Sequence, residues 1–231
     1  MIIQILSNLF EEGYLPREKY TSLSPFFAGA NVAFRREALK QVGQYDVNCF
    51  SGEDQDMCLR IARAGWDLYF EPKARVKHKN KMSLRALLRK WYNHGFHHPY
   101  LFKKFHPGRF RIYRTNRKGN DPSLYTTVVD SKCPFDIHVF ITPFITMHIL
   151  FACSIIFAIL GLLIPALVAL CLLVIRAFFY FRRDLEIRSL FRSIAFVFLR
   201  YTINLALIAG GFLGGLKSRM LYVGATFDYV S

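Results

Sequence analysis

The sequence predicts a short α/β segment, then an α-helical membrane hairpin, then a third helix that is amphipathic or membrane-embedded. Three observations carry this. Strand-like and helix-like stretches alternate between Phe26 and Lys77, the run from Ile137 to Ile175 holds no Asp, Glu, Lys or Arg, and the apolar run Ile194 to Leu216 is broken by Arg200 and Asn204. Alternation of strand and helix argues an α/β layer, and an uncharged run of that length is enough for two crossings of about 20 residues each.

Taken in order, Ile2, Ile3, Leu6, Leu9 and Phe10 share one face of a short opening helix, and Gly13 to Pro25 reads as loop. Phe26 to Phe34 favours a strand, followed by a helix over Arg36 to Val42 that Gly43 stops. Gly52-Glu53-Asp54-Gln55-Asp56 opens a second helix, with Met57, Ile61 and Ala64 at helical spacing and Gly65 as its end. Three acids in a first turn suit the helix dipole. Asp67 to Glu71 and Ala74 to Lys77 complete the alternation as strands.

Ser83 then caps a helix in which Leu84, Leu87, Leu88 and Trp91 line one face and Arg85 and Arg89 another. Such a helix lies in a membrane interface with its basic side toward phosphates, or packs on the domain as an ordinary surface helix. From Lys73 to Asn120 there is no Asp or Glu, and five of the seven His fall there, so this segment carries much of the formal net charge of +15. Within it residues 96–120 mix aromatics, His, Gly and Arg and, without a nucleic-acid-binding module and next to apolar spans, point to an anionic lipid or a nucleotide diphosphate rather than nucleic acid.

In the uncharged run, Gly161 marks the turn between two crossings, and Pro143 and Pro165 are tolerable. Arg and Lys flank the run on both sides, which places both flanks in the cytoplasm. In the third run Arg200 argues against a lipid-exposed span, and Gly210, Gly211, Gly214 and Gly215 suit a helix-to-helix contact. The five Cys show no zinc spacing and read as reduced thiols, and the opening residues lack the basic leader of a secretion signal.

The ordered set Gly29-Ala30-Asn31, Phe34-Arg35-Arg36, Val42-Gly43-Gln44-Tyr45-Asp46, Gly52-Glu53-Asp54-x-Asp56, Ala64-Gly65 and Val76-x-His78 resembles the inverting, nucleotide-sugar-dependent family-2 glycosyltransferases, specifically their C-terminal half and membrane tail. The resemblance implies part of a glycosyltransferase A-type, Rossmann-like domain. It makes Asp54 the base that deprotonates the acceptor hydroxyl and Glu53 an acceptor contact. Consecutive helical positions diverge by about 100°, so the two carboxylates serve different faces. Asp56 serves the helix start or pairs with Arg60. Gly29 and Ala30 let backbone approach a ligand, and Asn31 offers an amide to the acceptor. His78 matches a ligand of a divalent metal, Mg or Mn, that neutralises the leaving diphosphate. Arg89, Lys90 and Trp91 occupy the place of the family's interfacial helix beside that diphosphate. They depart from the Gln-x-x-Arg-Trp pattern of processive synthases, which favours transfer of one or a few sugars.

No residue upstream of Gly29 matches the family's Asp-x-Asp metal motif or its nucleotide site. The expectation is therefore an acceptor-side portion, residues 1–81, of a truncated or split enzyme, needing a separate donor-binding half and inactive alone. Residues 82–135 form the basic interfacial region, 136–181 the hairpin, and 182–231 the third helix and tail. Its partners would be a nucleotide-sugar donor, a glycan or lipid-linked acceptor of the cell envelope, and membrane lipids, with the N-terminal region cytoplasmic and, in a bacterium, the plasma membrane as its site. The alternative is a non-catalytic membrane module that binds anionic lipid or a partner synthase through Lys73 to Lys118.

Overall fold

A computed structural model describes residues 29–69, 74, 76, 83–115, 125–181 and 190–224. The opening helix, His78 and most of the Ala74–Lys77 strand lie outside the described residues. Helix α1 is Arg36–Val42 and α2 is Glu53–Arg63. A long α3 covers Leu84–Phe105. Strands β1 (Arg109–Thr115), β2 (Tyr125–Lys132) and β3 (Ile137–Ile141) follow, then α4 (Pro143–Ile159), α5 (Leu163–Phe181), α6 (Leu190–Lys217) and a short β4 (Leu221–Val223).

Four of the expected elements take another form. Gly29–Asn31 is a single 3-10 turn rather than strand, and around residues 67–71 only Tyr69 makes a bridge among the described positions. The Ser83 helix runs to Phe105, far beyond Tyr92, passing through Pro99. Ile137–Ile141 is strand, so the uncharged run is not helix throughout. The reason is visible in the side chains: His138 and Phe140 alternate into the core, which gives a two-residue period inside a run that merely lacks charge.

The strands form one mixed sheet in the order β2-β1-β3-β4. β1 and β2 pair antiparallel, while β3 pairs parallel with both β1 and β4. Phe102 of α3 stands edge-on against Tyr113, His138, Phe140 and Tyr222, so the sheet is clamped to α3 by an aromatic cluster. The buried His138 ring shares a 2.9 Å hydrogen bond with the Tyr113 hydroxyl.

Thr142 caps α4 by accepting from the Ile145 N–H at 3.3 Å, with Pro143 in the first turn where its missing N–H costs nothing. Gly161, at φ 73°, turns the chain into α5. The two helices form a hairpin with lipid-like exteriors: Ile159, Leu160, Leu163 and Ile164 around the turn are all exposed. Among the described residues two helices, Leu163–Phe181 and Ser193–Lys217, are long and apolar enough to cross a membrane.

Helix α6 packs along α3. Leu87 and Trp91 are buried with Phe196, Leu199, Ile203 and Leu207. Further along, Gly95 faces the Leu207 carbonyl, and Gly210 and Gly214 face the Tyr92 and Phe96 carbonyls, so the two backbones touch with no side chain between them. Arg200 is buried, with its guanidinium 4.2 Å over the Tyr180 ring and donating to the Tyr180 carbonyl at 3.3 Å. The broken apolar run is thus a packed helix, with its charge turned inward.

Candidate active site

The three acids of α2 occupy three environments. Glu53 is exposed, Asp54 is half-buried and Asp56 is fully buried. Consecutive Glu53 and Asp54 part by about 100° as helix geometry demands, whereas Asp56, only about 60° round from Glu53, is drawn inward by its pairs with Arg60 and Lys104. The turn into α2 depends on Gly52, whose φ of 86° is left-handed; a Cβ there would also lie 2.8 Å from Leu101 Cδ1.

Asp54 joins the two halves of the motif. Its Oδ2 accepts from the Gly29 N–H at 3.1 Å and its Oδ1 from the Gln55 N–H at 2.8 Å. Each oxygen keeps a further lone pair for a hydroxyl. A Cβ on Gly29 would sit 3.5 Å from Asp54 Cβ, so the turn and the carboxylate are in direct contact. Asn31 is placed beside them, and its amide donates to the Ala74 carbonyl at 2.7 Å. That bond uses one N–H of the Asn31 amide and helps to hold the turn.

Asp56 does structural work. It takes Arg60 Nε at 2.8 Å and Lys104 Nζ at 2.7 Å. Lys104 also reaches Asp46 at 2.7 Å, where the Tyr100 hydroxyl donates as well. Arg60 donates onward to the Val42 and Gln44 carbonyls. One cation from α3 and one from α2 thus tie α2, α3 and the loop after α1 into a frame around Asp54. The Lys104 hydrogen bond, with the Asn48 N–H and Tyr100 hydroxyl, holds the Asp46 carboxyl well below the usual range. Replacing Lys104 by Met strands a fully buried carboxylate on Arg60 alone. We expect a loss of about 3 kcal/mol in a denaturant titration.

Arg89, Lys90 and Trp91 are not gathered into one patch. Trp91 is buried between α3 and α6, Lys90 Nζ lies 5.7 Å from its ring, and Arg89 is exposed on another face. The side of α3 that does meet the Asp54 segment is a histidine face absent from the sequence reading. Ser51 Oγ and His94 Nδ1 are 2.8 Å apart, and the Phe50 and His97 rings are 5.8 Å apart. The i, i+3, i+4 spacing of His94, His97 and His98 was the available signal.

Burial pushes His94, His98, His106 and His138 each down to about 4. Between pH 6.5 and 4 these four are protonated in the unfolded chain and neutral in the folded one. The unfolded state therefore binds more protons, and stability falls as pH drops through that window, ending below pH 4 where both states are charged. Each full proton contributes a slope of about 1.4 kcal/mol per pH unit. Only His138 is fully buried, so the measured slope of unfolding free energy against pH should exceed one proton and fall short of four.

Among the described residues no group of three or more His, Cys, Asp or Glu could hold a metal ion. The described residues alone thus do not make the divalent-metal site that the resemblance implies, and His78 lies outside them. A cavity of about 560 Å3, lined by Pro107, Gly108, Arg109, Lys132, Cys133 and Pro134, shares no residue with the Asp54 site.

A family model described as glycosyl transferase family group 2 matches residues 14–181, most of the chain and all of the Asp54 site. The chain belongs to that family. A 60-residue stretch is 38% identical to the Pre-mycofactocin glycosyltransferase of Mycobacterium tuberculosis, in each of two strains. That match covers 26% of this chain and 13% of the length of each relative. No solved structure matches the chain.

Proposed function

We propose that this family member serves the acceptor side of an inverting hexosyl transfer from a nucleotide-sugar to a hydroxyl of a lipid-linked or envelope glycan. The observation that carries the proposal is the Asp54 carboxylate, half-buried and fixed by the Gly29 and Gln55 N–H groups. In such a transfer the acceptor oxygen forms its bond to the anomeric carbon while the bond to the nucleoside diphosphate breaks. The hydroxyl proton passes to Asp54 and the electron pair leaves with the diphosphate. Exposed Glu53 and the Asn31 carbonyl oxygen flank the same turn and would hold other acceptor hydroxyls. A divalent metal, if bound through residues outside those described, would neutralise the leaving diphosphate.

The α4–α5 hairpin is proposed to enter the membrane and hold Asp54 near the cytoplasmic surface, where a lipid-linked acceptor presents its sugar. Its exposed apolar exterior supports this reading. Donor-binding residues are proposed to come from a separate half, so the chain by itself should transfer little or no sugar. The test is incorporation of labelled sugar from a panel of nucleotide-sugars into membrane lipid extract, with the chain alone and in membranes of its source cell. Source-cell membranes gaining incorporation when the chain is supplied is the expected result. Unaltered incorporation, with lipid binding retained, would replace the enzyme reading with a non-catalytic membrane module.

A further inference from the structure

The stretch Ser193–Lys217 of α6 is long and apolar enough to cross a membrane, yet its neighbours argue for another position. It runs parallel to α3 over most of its length: Leu87 and Trp91 pack near Phe196 to Leu207, Gly95 meets Leu207 and Gly211, Phe96 meets Gly214, and Lys103 Nζ reaches the Ser218 carbonyl. Helix α3 carries Arg85, Arg89, Lys90, Lys103 and Lys104 along that length. If α6 crossed the bilayer, α3 would have to follow it. Each cation would then enter hydrocarbon at a cost of several kcal/mol near the centre.

The hairpin is met differently. Among the described residues a short stretch of α6 touches it, through Arg200, Tyr201, Asn204 and Ile208, at its base: Phe144, Met147 and His148 of α4, and Leu173 to Phe181 of α5. Helices lying side by side share contacts along their lengths. A meeting confined to about two turns is a crossing. With the hairpin along the membrane normal, α6, about 42 Å long for its 28 residues, lies across its foot.

The third face of α6 is apolar and uncovered. Ile194, Phe198, Leu205, Phe212 and Leu216 are 43–62% exposed. At about 100° per residue they fall in one narrow arc, roughly opposite the arc of Phe196, Leu199, Ile203, Leu207 and Gly214 that faces α3. A helix with a charged partner on one side and an apolar stripe on the other has the pattern of an interfacial helix. Lys217 and Arg219, at the end of α6, add cations where lipid headgroups would lie.

We infer that α6 does not cross the membrane but lies in its surface plane, with the stripe Ile194, Phe198, Leu205, Phe212 and Leu216 seated on the lipid bilayer. The inference rests on the membrane reading of the α4–α5 hairpin. It makes the α3–α6 pair a platform: lipid beneath α6, the Asp54 frame above α3. The same stripe would fix the height of the acceptor site over the membrane.

Single environment-sensitive fluorophores at Ile194→Cys, Leu205→Cys, Leu216→Cys and Leu162→Cys test this. Each replaces an exposed side chain. Cys133, Cys153 and Cys171 are changed to Ala, and the buried Cys49 and Cys58 are kept. The full chain is reconstituted in phosphatidylethanolamine and phosphatidylglycerol vesicles carrying a nitroxide either near the headgroup or near the acyl-chain end. The expected result is greater fluorescence loss from the shallow nitroxide at all three stripe positions, and from the deep one at Leu162. Deep quenching at Leu205 with shallow quenching at Ile194 and Leu216 would mean that α6 crosses, and overturns the inference. Quenching at Leu162 with none on the stripe overturns it while leaving the hairpin intact. Absence of quenching at Leu162 overturns the hairpin reading, and the inference with it.

Discussion

Asp54→Asn is expected to lower kcat by about 10²–10⁴ for sugar transfer in a complete, active preparation while leaving acceptor KM nearly unchanged. The amide is close to isosteric and its oxygen can keep one of the two backbone N–H bonds now made by the carboxylate. It cannot take the acceptor proton at neutral pH. The comparison with its neighbours gives the prediction its discrimination. Glu53→Gln, at an exposed position, should raise acceptor KM more than it lowers kcat. Asp56→Asn should act chiefly on folding, because it weakens the buried pairs with Arg60 and Lys104. Initial rates with saturating donor and varied acceptor, alongside thermal unfolding, separate the three. An unchanged rate for a well-folded Asp54→Asn protein would remove the base assignment.

The parting of Glu53 from Asp54 was legible in the sequence, since consecutive helical positions lie about 100° apart; the burial of Asp56 was not, because at i, i+3 it neighbours Glu53. The pairing of Asp56 with Arg60 was legible too. Lys104 was not, because it lies 48 positions downstream of Asp56 and nothing local to either residue announces the contact. The histidine face of α3 was missed for a related reason: its spacing is visible, but its role depends on which loop docks there. The sheet escaped for a different one. Arg109 to Lys132 fell within residues 82–135, read as a basic interfacial region, though Phe110, Ile112 and Arg109, Arg111 alternate, and β3 hid in a stretch judged only by its lack of charge. Absence of charge is shared by buried strands and membrane helices, so it fixes neither. The glycines of α6 were read correctly as a contact surface, while their partner remained unknown until Gly95 was found opposite them.

Gly95→Ala is expected to be strongly destabilising, as a methyl group at Gly210 or Gly214 on the facing helix would be. A Cβ there would fall 2.0 Å from the Leu207 carbonyl oxygen and 2.9 Å from the Gly211 nitrogen, and both are helix backbone. A side-chain clash can be relieved by a rotamer change, but here one helix must move away from the other. Separation by even about 1 Å would loosen the cluster of Leu87, Trp91, Phe196, Leu199, Ile203 and Leu207, since dispersion contacts fade steeply with distance. Overpacking of this kind costs about 3 kcal/mol, partly offset by the better helix propensity of Ala. Asn93→Ala, on the exposed side of the same helix, should be nearly neutral. Thermal unfolding of both proteins in detergent would show a large fall in Tm for the first only. Because α3 also supplies His94 to Ser51 and Lys104 to Asp46 and Asp56, the Gly95 substitution should carry into the site. In active preparations it should lower kcat at temperatures below its own unfolding, although Gly95 is absent from the set of groups that touch Asp54. Equal Tm values for the two variants would mean that the seam between α3 and α6 is not the close backbone contact on which the platform depends.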